Sequence, residues 1–232
     1  MQIIAHRGRV GDNPENCIES LCLLTSGVEG VEVDVRVTAD GMPILMHDQG
    51  IERTTNGSGA VADLYYQDLM NIKLEDRYKV PCLKSYLTSC QKYNFANIFL
   101  DVKVVKKEEL RAIVETVKKS RLYKKIICLV KDKESLSCLR KLDPSLALGL
   151  LRTELSNLDE HLTTAKLYRA EVLLVMHGDE AYMKNRSVVA AIRKAGFKAG
   201  ASVINSIHSY RAALQDQCHL VLTDRQDIFK SL

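Results

Sequence analysis

Short apolar segments alternate along the chain with longer amphipathic ones. Eight of the apolar segments have the length of a strand and are rich in Val, Ile and Leu, as strands buried on both faces should be. They span residues 2–6, 30–35, 97–102, 125–130, 146–151, 171–175, 198–204 and 219–223. Eight β-then-α units predict an α/β protein with the (β/α)8 TIM barrel fold. A doubly wound open sheet stays as the alternative, because the number of strands does not show whether the sheet closes.

The amphipathic segments between these strands predict helices. Residues 107–122 carry their apolar side chains on one helical stripe, and residues 133–144 follow a similar pattern. Residues 187–196 end in Gly196, a residue type that commonly terminates helices, just before the next apolar segment. Each helix therefore lies between two predicted strands, as the barrel requires.

The stretch after the second strand breaks this alternation. "MPILM" at 42–46 predicts a short extra strand that returns from the second one, and the turn-rich "DQGIERTTNGSGAVADL" at 48–64 follows it. A long loop in a compact domain usually has a function. We therefore predict one domain over residues 1–232, with a small inserted subdomain at about residues 48–80.

Composition and charge exclude several classes of protein. The chain is 46% hydrophobic and 27% charged, as is ordinary for a folded soluble domain, and its net charge of +4 is too small to indicate nucleic-acid binding. Seven cysteines with no C-x-x-C pair predict reduced thiols and a cytoplasmic protein. No apolar run reaches the length of about 18 residues that a membrane span needs, so we expect neither a leader nor membrane insertion.

Polar side chains cluster at the predicted carboxyl ends of the early strands, where barrels of this class build their active sites. They are His6, Arg7, Glu32, Asp34, His47, Asp101 and Lys103. Side chains two positions apart on a strand share a face, so Glu32 points with Asp34 and Asp101 points with Lys103. If all of these face the barrel mouth, three carboxylates, two histidines, a lysine and an arginine converge there.

Three converging carboxylates repel each other unless a cation lies between them. Oxygen-only ligands favour Mg²⁺ or Ca²⁺, or else Mn²⁺, over zinc. Arg7 and Lys103 suit a phosphate group. His6 and His47 can serve as base and acid, because histidine as a residue type changes its charge near neutral pH. The set indicates phosphodiester cleavage. The alternative is structural: Glu32 and Asp34 would then form salt bridges with Arg36 or Arg53.

Several blocks of the sequence, in this order and at this spacing, are similar to one known family. The blocks are "AHRG" (5–8), "PEN" (14–16), "EVDVRVTADGMPILMHD" (32–48), "ERTTNGSGAVADL" (52–64), "LDVK" (100–103), "LDPSLALGLL" (142–151) and "LVLTDR" (220–225). Together they resemble the glycerophosphodiester phosphodiesterase family. The resemblance is dense in the first hundred residues and thin after about residue 155.

The resemblance implies a barrel like that of the phosphatidylinositol phospholipases, and the hydrolysis of small glycerophosphodiesters to sn-glycerol 3-phosphate and an alcohol. It assigns a role to each polar residue: His6 and His47 as the catalytic acid and base, Glu32, Asp34 and Asp101 as ligands of Mg²⁺ or Ca²⁺, and Arg7 and Lys103 as phosphoryl-binding groups. The family mechanism has the glycerol 2-hydroxyl attack phosphorus to give a cyclic phosphate, which water then opens. Glu15, which we expect to open the first helix, would support the site, and the insertion would shape the pocket.

The sequence departs from the family pattern at two informative places. Members often carry Trp-Thr-Val-Asn on the seventh strand, whereas "ASVIN" (201–205) stands here and the chain has no Trp. Asp101 replaces the Glu of many members. A smaller seventh-strand residue should widen the pocket. The alternative enzymatic function is therefore a lysophospholipase D-like activity or another specialised phosphodiesterase. The alternative without catalysis is a relative that only binds phosphodiesters.

Overall fold

The computed structural model describes residues 1–24, 26–175 and 178–229, with residues 228 and 229 as backbone only. The described residues contain these strands: β1 (Gln2–Ala5), β2 (Gly30–Val37), β3 (Pro43–Leu45), β4 (Lys73–Leu74), β5 (Tyr78–Lys79), β6 (Asn97–Val102), β7 (Ile126–Val130), β8 (Ala147–Thr153), β9 (Val172–Val175), β10 (Lys198–Ala201) and β11 (Leu220–Thr223). All eight predicted strand segments form strands of the main sheet.

The main sheet closes into a barrel. Eight parallel strands follow one another in the order β1, β2, β6, β7, β8, β9, β10 and β11, and β1 pairs with both β11 and β2. This pairing confirms the (β/α)8 fold and excludes the open-sheet alternative. Strand β3 lies antiparallel on the carboxyl-terminal half of β2, as the returning segment at 42–46 predicted.

Helices cover the outside of the barrel. They are α1 (Tyr66–Leu69), α2 (Leu83–Cys90), α3 (Lys107–Lys118), α4 (Lys133–Leu142), α5 (Leu158–Tyr168), α6 (Asp179–Lys184), α7 (Arg186–Lys194), α8 (Ile207–Gln215) and α9 (Gln226–Phe229). The three helices predicted by periodicity are α3, α4 and α7. Helix α4 ends at Leu142 because Asp143 precedes Pro144, and a residue before proline avoids the helical conformation.

The barrel interior is filled by apolar side chains from alternate strand positions. These are Ile4, Phe99, Ile127, Leu129, Leu151, Val172, Leu174, Leu220 and Leu222, all buried. The opposite faces of the strands pack against the helices in a larger core. Gly200 leaves the space that the Leu174 side chain occupies, since a Cβ at Gly200 would lie 2.4 Å from Leu174 Cδ2. This packed interior supports the polar layer at the carboxyl ends of the strands.

The expected first helix does not form at Glu15. Residues 14–18 are loop and turn, and a short 3-10 helix follows only at Glu19–Leu23. Asn16 adopts a left-handed conformation (φ 53°), which interrupts a helix at this point. Glu15 is turned inward, where it meets two arginines, so its position is set by the site and not by a helix.

The segment between β3 and α2 has its own small core. Buried Ile44, Met46, Ile51, Val61, Leu69 and Val80 pack together there. Helix α1 and the β4–β5 ribbon belong to this segment. We propose that the chain forms one domain with an inserted subdomain at about residues 48–80.

All seven cysteines are free thiols, four of them buried. Among the described residues, no helix combines the length and apolar character needed to span a bilayer.

Candidate active site

A cavity of about 220 Å³ opens at the carboxyl ends of the barrel strands. All seven residues predicted to converge line it, namely His6, Arg7, Glu32, Asp34, His47, Asp101 and Lys103. The other lining residues are Lys131, Leu151, Arg152, Leu174, Val175, Ser202 and Leu222. Ser202 directly follows β10, the seventh barrel strand, in the "ASVIN" block.

The alternation of the strands brings the carboxylates together. Strand β2 turns its valines outward into the helix-facing core, so Glu32 and Asp34 point into the barrel. Asp101 lies directly beside Asp34 in the parallel register of β2 and β6. The pairing of the two strands continues to Lys103, whose backbone N–H donates to Val35 O at 3.0 Å. The predicted pairing of Glu32 with Asp34 and of Asp101 with Lys103 therefore exists in the fold.

The three carboxylates form a buried cluster. Ligand oxygens of Glu32, Asp34 and Asp101 all lie within 4.8 Å of one another. Burial and the charge of Asp34 raise the pKa of Glu32 to about 8. Burial also disfavours the charged form of Asp34, but Lys103 and Arg7 offset it and lower the pKa of that carboxyl to about 2. Burial and Asp34 raise the pKa of Asp101 despite the neighbouring Lys103.

The donor set of this cluster fits a hard divalent cation. Asp101 Oδ1 is buried and, among the described residues, has no hydrogen-bond partner. The Lys103 ammonium lies 2.9 Å from Asp34 Oδ1 and also contacts Asp101, so positive charge is already drawn to this point. The three carboxylates still outnumber the two adjacent cations, Arg7 and Lys103. An oxygen-only set of this kind is suited to Mg²⁺ or Ca²⁺.

His6 is held by a residue that the sequence reasoning missed. Its Nδ1 lies 3.0 Å from Asp224 Oδ1 at the end of β11, and its Nε2 lies 3.9 Å from Glu32 Oε2. Burial opposes protonation of His6, but the hydrogen bond to Asp224 and the charge of Glu32 raise its pKa above the ordinary value. Asp224 follows β11 and lies two positions after Leu222, which points into the barrel. The period of the last strand could therefore have placed Asp224 near the cavity, but not as the partner of His6.

His47 has the same kind of partner. Its Nδ1 lies 2.6 Å from Asp48 Oδ1, and Arg53 in turn binds Asp48. The Arg36 guanidinium donates two hydrogen bonds to the His47 carbonyl, at 3.0 and 2.8 Å. The side chain is 35% exposed, so it lies at the cavity rim whereas His6 is buried. Each histidine thus has a carboxylate on Nδ1.

Glu15 links the first loop to the inserted segment. Its carboxylate accepts from Arg7 Nη1 at 2.8 Å and from Arg53 Nη2 at 2.6 Å. Burial disfavours the charged form of Glu15, but Arg53 and Arg7 more than compensate and lower its pKa. The same contacts fix Arg7, whose buried Nε has no hydrogen-bond partner within the described residues and lies 3.5 Å from Asp34 Oδ2.

Asn16 is a second residue that the sequence reasoning did not assign. Its amide donates to Asp34 Oδ2 at 2.9 Å and its side-chain oxygen accepts from the Asp34 backbone N–H at 2.9 Å. This two-point contact orients Asp34 toward Glu32. The "PEN" block, in which Asn16 directly follows Glu15, is the sequence feature that could have indicated this residue.

Comparisons with known proteins identify a matching family and several similar proteins. Residues 6–227 match the Glycerophosphoryl diester phosphodiesterase family. Glycerophosphodiester phosphodiesterase 1 of Mus musculus is 39% identical over 110 residues, which cover 43% of this chain and 33% of the mouse protein. The chain therefore spans only about a third of the length of that curated relative.

Two further relatives extend over more of the chain. A glycerophosphodiester phosphodiesterase of Caldanaerobacter subterraneus subsp. tengcongensis is 28% identical over 159 residues, covering 64% of this chain and 65% of the relative. The solved structure of a phosphodiesterase from Oleispira antarctica, in complex with the product sn-glycerol-3-phosphate, superposes with a TM-score of 0.88 at 24% identity. That superposition covers 100% of this chain and 96% of the other, and it shows that the two share their fold.

Proposed function

Because this chain belongs to the glycerophosphoryl diester phosphodiesterase family, we propose that it hydrolyses glycerophosphodiesters to sn-glycerol 3-phosphate and an alcohol in a metal-dependent reaction. One observation carries the proposal: two histidines, each with a carboxylate on Nδ1, share one cavity with a cluster of three carboxylates. The product in the Oleispira antarctica structure supports the substrate class. The substrate partner is a small molecule.

The histidines act as acid and base through Nε2. When Nδ1–H donates to Asp224 or Asp48, the tautomer is fixed and Nε2 of each ring can accept or donate a proton. One histidine takes the proton of the attacking glycerol 2-hydroxyl, and the other protonates the leaving alcohol. The same pair, with roles exchanged, then activates water to open the cyclic phosphate.

Glu32, Asp34 and Asp101 would hold the divalent cation, Mg²⁺ or Ca²⁺, with Mn²⁺ as a substitute. A cation bound there supplies stabilisation of negative charge on the phosphoryl group. Asn16 and Lys103 keep Asp34 charged and oriented for this task. Glu32, whose burial favours the neutral form, would give up its proton to ligate a cation.

Arg7 and Lys103 bind the phosphoryl oxygens. Arg7 is fixed by Glu15 on one side, and the residue lines the cavity. Lys103 lies between Asp34 and Asp101, so its ammonium can contact an anion at the cavity while it remains paired. Both cations are therefore ordered before substrate binds, which reduces the entropy cost of binding.

A coupled enzymatic assay for sn-glycerol 3-phosphate tests the proposal with three histidine variants. We expect His6→Ala and His47→Ala to lower kcat by roughly 10² to 10⁴, the usual contribution of a general acid or base. His208→Ala removes an exposed histidine of α8 and should leave kcat unchanged. Undiminished activity in both site variants would refute the assignment.

A further inference from the structure

The cavity carries more positive charge than a single phosphodiester requires. Four cationic side chains line it, Arg7, Lys103, Lys131 and Arg152, against the three carboxylates of the cluster. A divalent cation on the carboxylates would raise the excess further, while a phosphodiester brings only one negative charge. Glu15, which does not line the cavity, pairs with Arg7, so the surplus rests on Lys131 and Arg152. It indicates that the substrate carries additional negative charge.

The surplus is concentrated on one side of the cavity mouth. Lys103 and Lys131 directly follow the neighbouring strands β6 and β7, and Arg152 lies near the end of β8, whereas both catalytic histidines lie beside β1 and β2. Lys103 is paired with Asp34 and Asp101. Within the described parts of the chain, neither Lys131 nor Arg152 forms an ion pair or donates a side-chain hydrogen bond. These two charges are thus available to a ligand.

Strand β8 is irregular at the point where it delivers Arg152. The register with β9 shifts between Leu150 and Thr153, and Arg152 has a left-handed backbone (φ 59°). In a regular strand Leu151 and Arg152 would point to opposite faces, yet both line the cavity. Bulges near active sites re-aim side chains in this way, and a left-handed non-glycine residue needs a compensating reason.

Lys131 reaches the same space from a regular strand. It lies two positions beyond Leu129, which packs inside the barrel, so its side chain points inward at the next layer. Burial lowers the pKa of Lys131, and the charges of Lys103 and Arg152 lower it further. The three cations therefore repel one another, and an anion between them would relieve the repulsion.

We propose that Lys131 and Arg152 form a subsite for a second phosphate group, carried on the alcohol part of the glycerophosphodiester. The guanidinium offers a two-point contact to phosphate oxygens and the ammonium a point charge. Diesters with cationic alcohols such as choline are disfavoured by the same charges. The inference rests on the proposed function, and it names the substrate class of that site. The second phosphate can be a monoester or another diester.

Two matched substrates isolate the second phosphate. Glycerophosphoinositol and glycerophosphoinositol 4-phosphate differ only in a phosphomonoester, and glycerophosphoglycerophosphoglycerol adds the diester form. We expect kcat/KM to be roughly tenfold higher for the phosphorylated inositol diester than for its unphosphorylated partner, with a ratio that shrinks as salt rises from about 0.05 to about 0.5 M. Equal preference for the phosphomonoester and the second phosphodiester would mean that the subsite recognises negative charge alone. Preference for one of them would identify which form of phosphate the subsite binds.

Variants that remove one positive charge test which residues cause the preference for the phosphorylated diester. Lys131→Met and Arg152→Gln should each lower the ratio roughly three- to fivefold, as expected for exposed charge pairs. Both residues are exposed, so the variants are expected to fold. Lys92→Met and Arg211→Gln remove exposed cations outside the cavity and should leave the ratio unchanged. A ratio near one in the wild type, or an equal loss for both substrates in the variants, would overturn the subsite.

A binding measurement separates this inference from the proposed function. Isothermal titration of the two inositol diesters into His47→Ala protein with Mg²⁺ compares their Kd values without turnover. Tighter binding of the phosphorylated diester, lost in the Lys131→Met background, supports the subsite even if no diester is hydrolysed. Equal Kd values would refute the subsite, whereas absent hydrolysis alone would refute only the phosphodiesterase proposal.

Discussion

The site depends on single contacts that reach across the whole chain. His6 and Asp224 are 218 positions apart, yet their side chains meet at 3.0 Å because β1 and β11 are neighbours. The alternation of strand residues and the family blocks predicted seven of the fourteen residues that line the cavity. They did not predict Asp224 or Asn16, because a hydrogen-bond partner is fixed by strand pairing and side-chain direction, which spacing along the sequence does not contain.

Asp224→Asn should weaken both the base strength and the orientation of His6. The carboxylate raises the pKa of His6, so the variant should show a lower His6 pKa in a pH titration of the histidine Cε1–H signals of metal-free protein. We expect kcat to fall by about 10² or more, as when an orienting carboxylate loses its charge. Asp63→Asn, an exposed site in the insertion, is the control. An unchanged His6 pKa would contradict the assignment.

The same pair makes stability depend on pH. Because the folded-state pKa of His6 is raised above 6.5, its contribution is complete below about pH 6.5 and is lost as pH rises through the folded pKa. The free energy of unfolding lost in Asp224→Asn should therefore be larger at about pH 5.5 than at about pH 8.5. Urea denaturation of both metal-free proteins at each pH measures it. A loss that is larger at the higher pH would have the wrong sign.

Cation binding should release a proton near neutral pH. Burial and Asp34 raise the pKa of Glu32 to about 8, so this carboxyl is mostly neutral at about pH 7 until a cation draws off its proton. Titration calorimetry with Mg²⁺ or Ca²⁺ in buffers of different ionisation enthalpy should report a release approaching one proton. Asp101→Asn should weaken cation affinity by about tenfold or more. Buffer-independent heats would contradict the role of Glu32.

At the scale of elements, the loop after β1 replaces an expected helix with a polar bridge. The sequence "PEN" resembled a helix start, but the left-handed Asn16 and the inward Glu15 form a bridge between the barrel and the inserted segment. Propensity failed here because Arg7 and Arg53, the latter 38 positions away along the chain, determine where Glu15 points. The longer helices α3 and α4 were predictable because burial of one stripe imposes their period.

Glu15→Gln should loosen that bridge. Arg7 and Arg53 would lose their shared carboxylate, and we expect the free energy of unfolding to fall by about 1–3 kcal/mol, as for a buried charged hydrogen bond left incomplete. KM should rise because Arg7 is less well fixed. Glu75→Gln, an exposed acid of the same segment, is the matched control for urea denaturation and kinetics. Equal behaviour of the two variants would refute the bridge.

At the scale of the whole molecule, closure of the barrel creates the cavity. Glu32 and Asp34 come from β2, His6 from the end of β1, and Asp224 from the end of β11. These four residues meet only because β1 pairs on both sides. The count of apolar segments could not distinguish closure from an open sheet, since both use the same strand pattern. The family blocks favoured the barrel because the family that they resemble has that fold.

The most direct test follows phosphodiester conversion by phosphorus NMR, with glycerophosphoinositol as substrate. EDTA-treated protein should leave the diester signal unchanged, and added Mg²⁺ or Ca²⁺ should replace it with that of sn-glycerol 3-phosphate. His47→Ala protein carried through the same steps should stay inactive, which excludes a contaminating enzyme. Conversion that persists in EDTA, or none with any cation from folded wild-type protein, would contradict the metal-dependent phosphodiesterase.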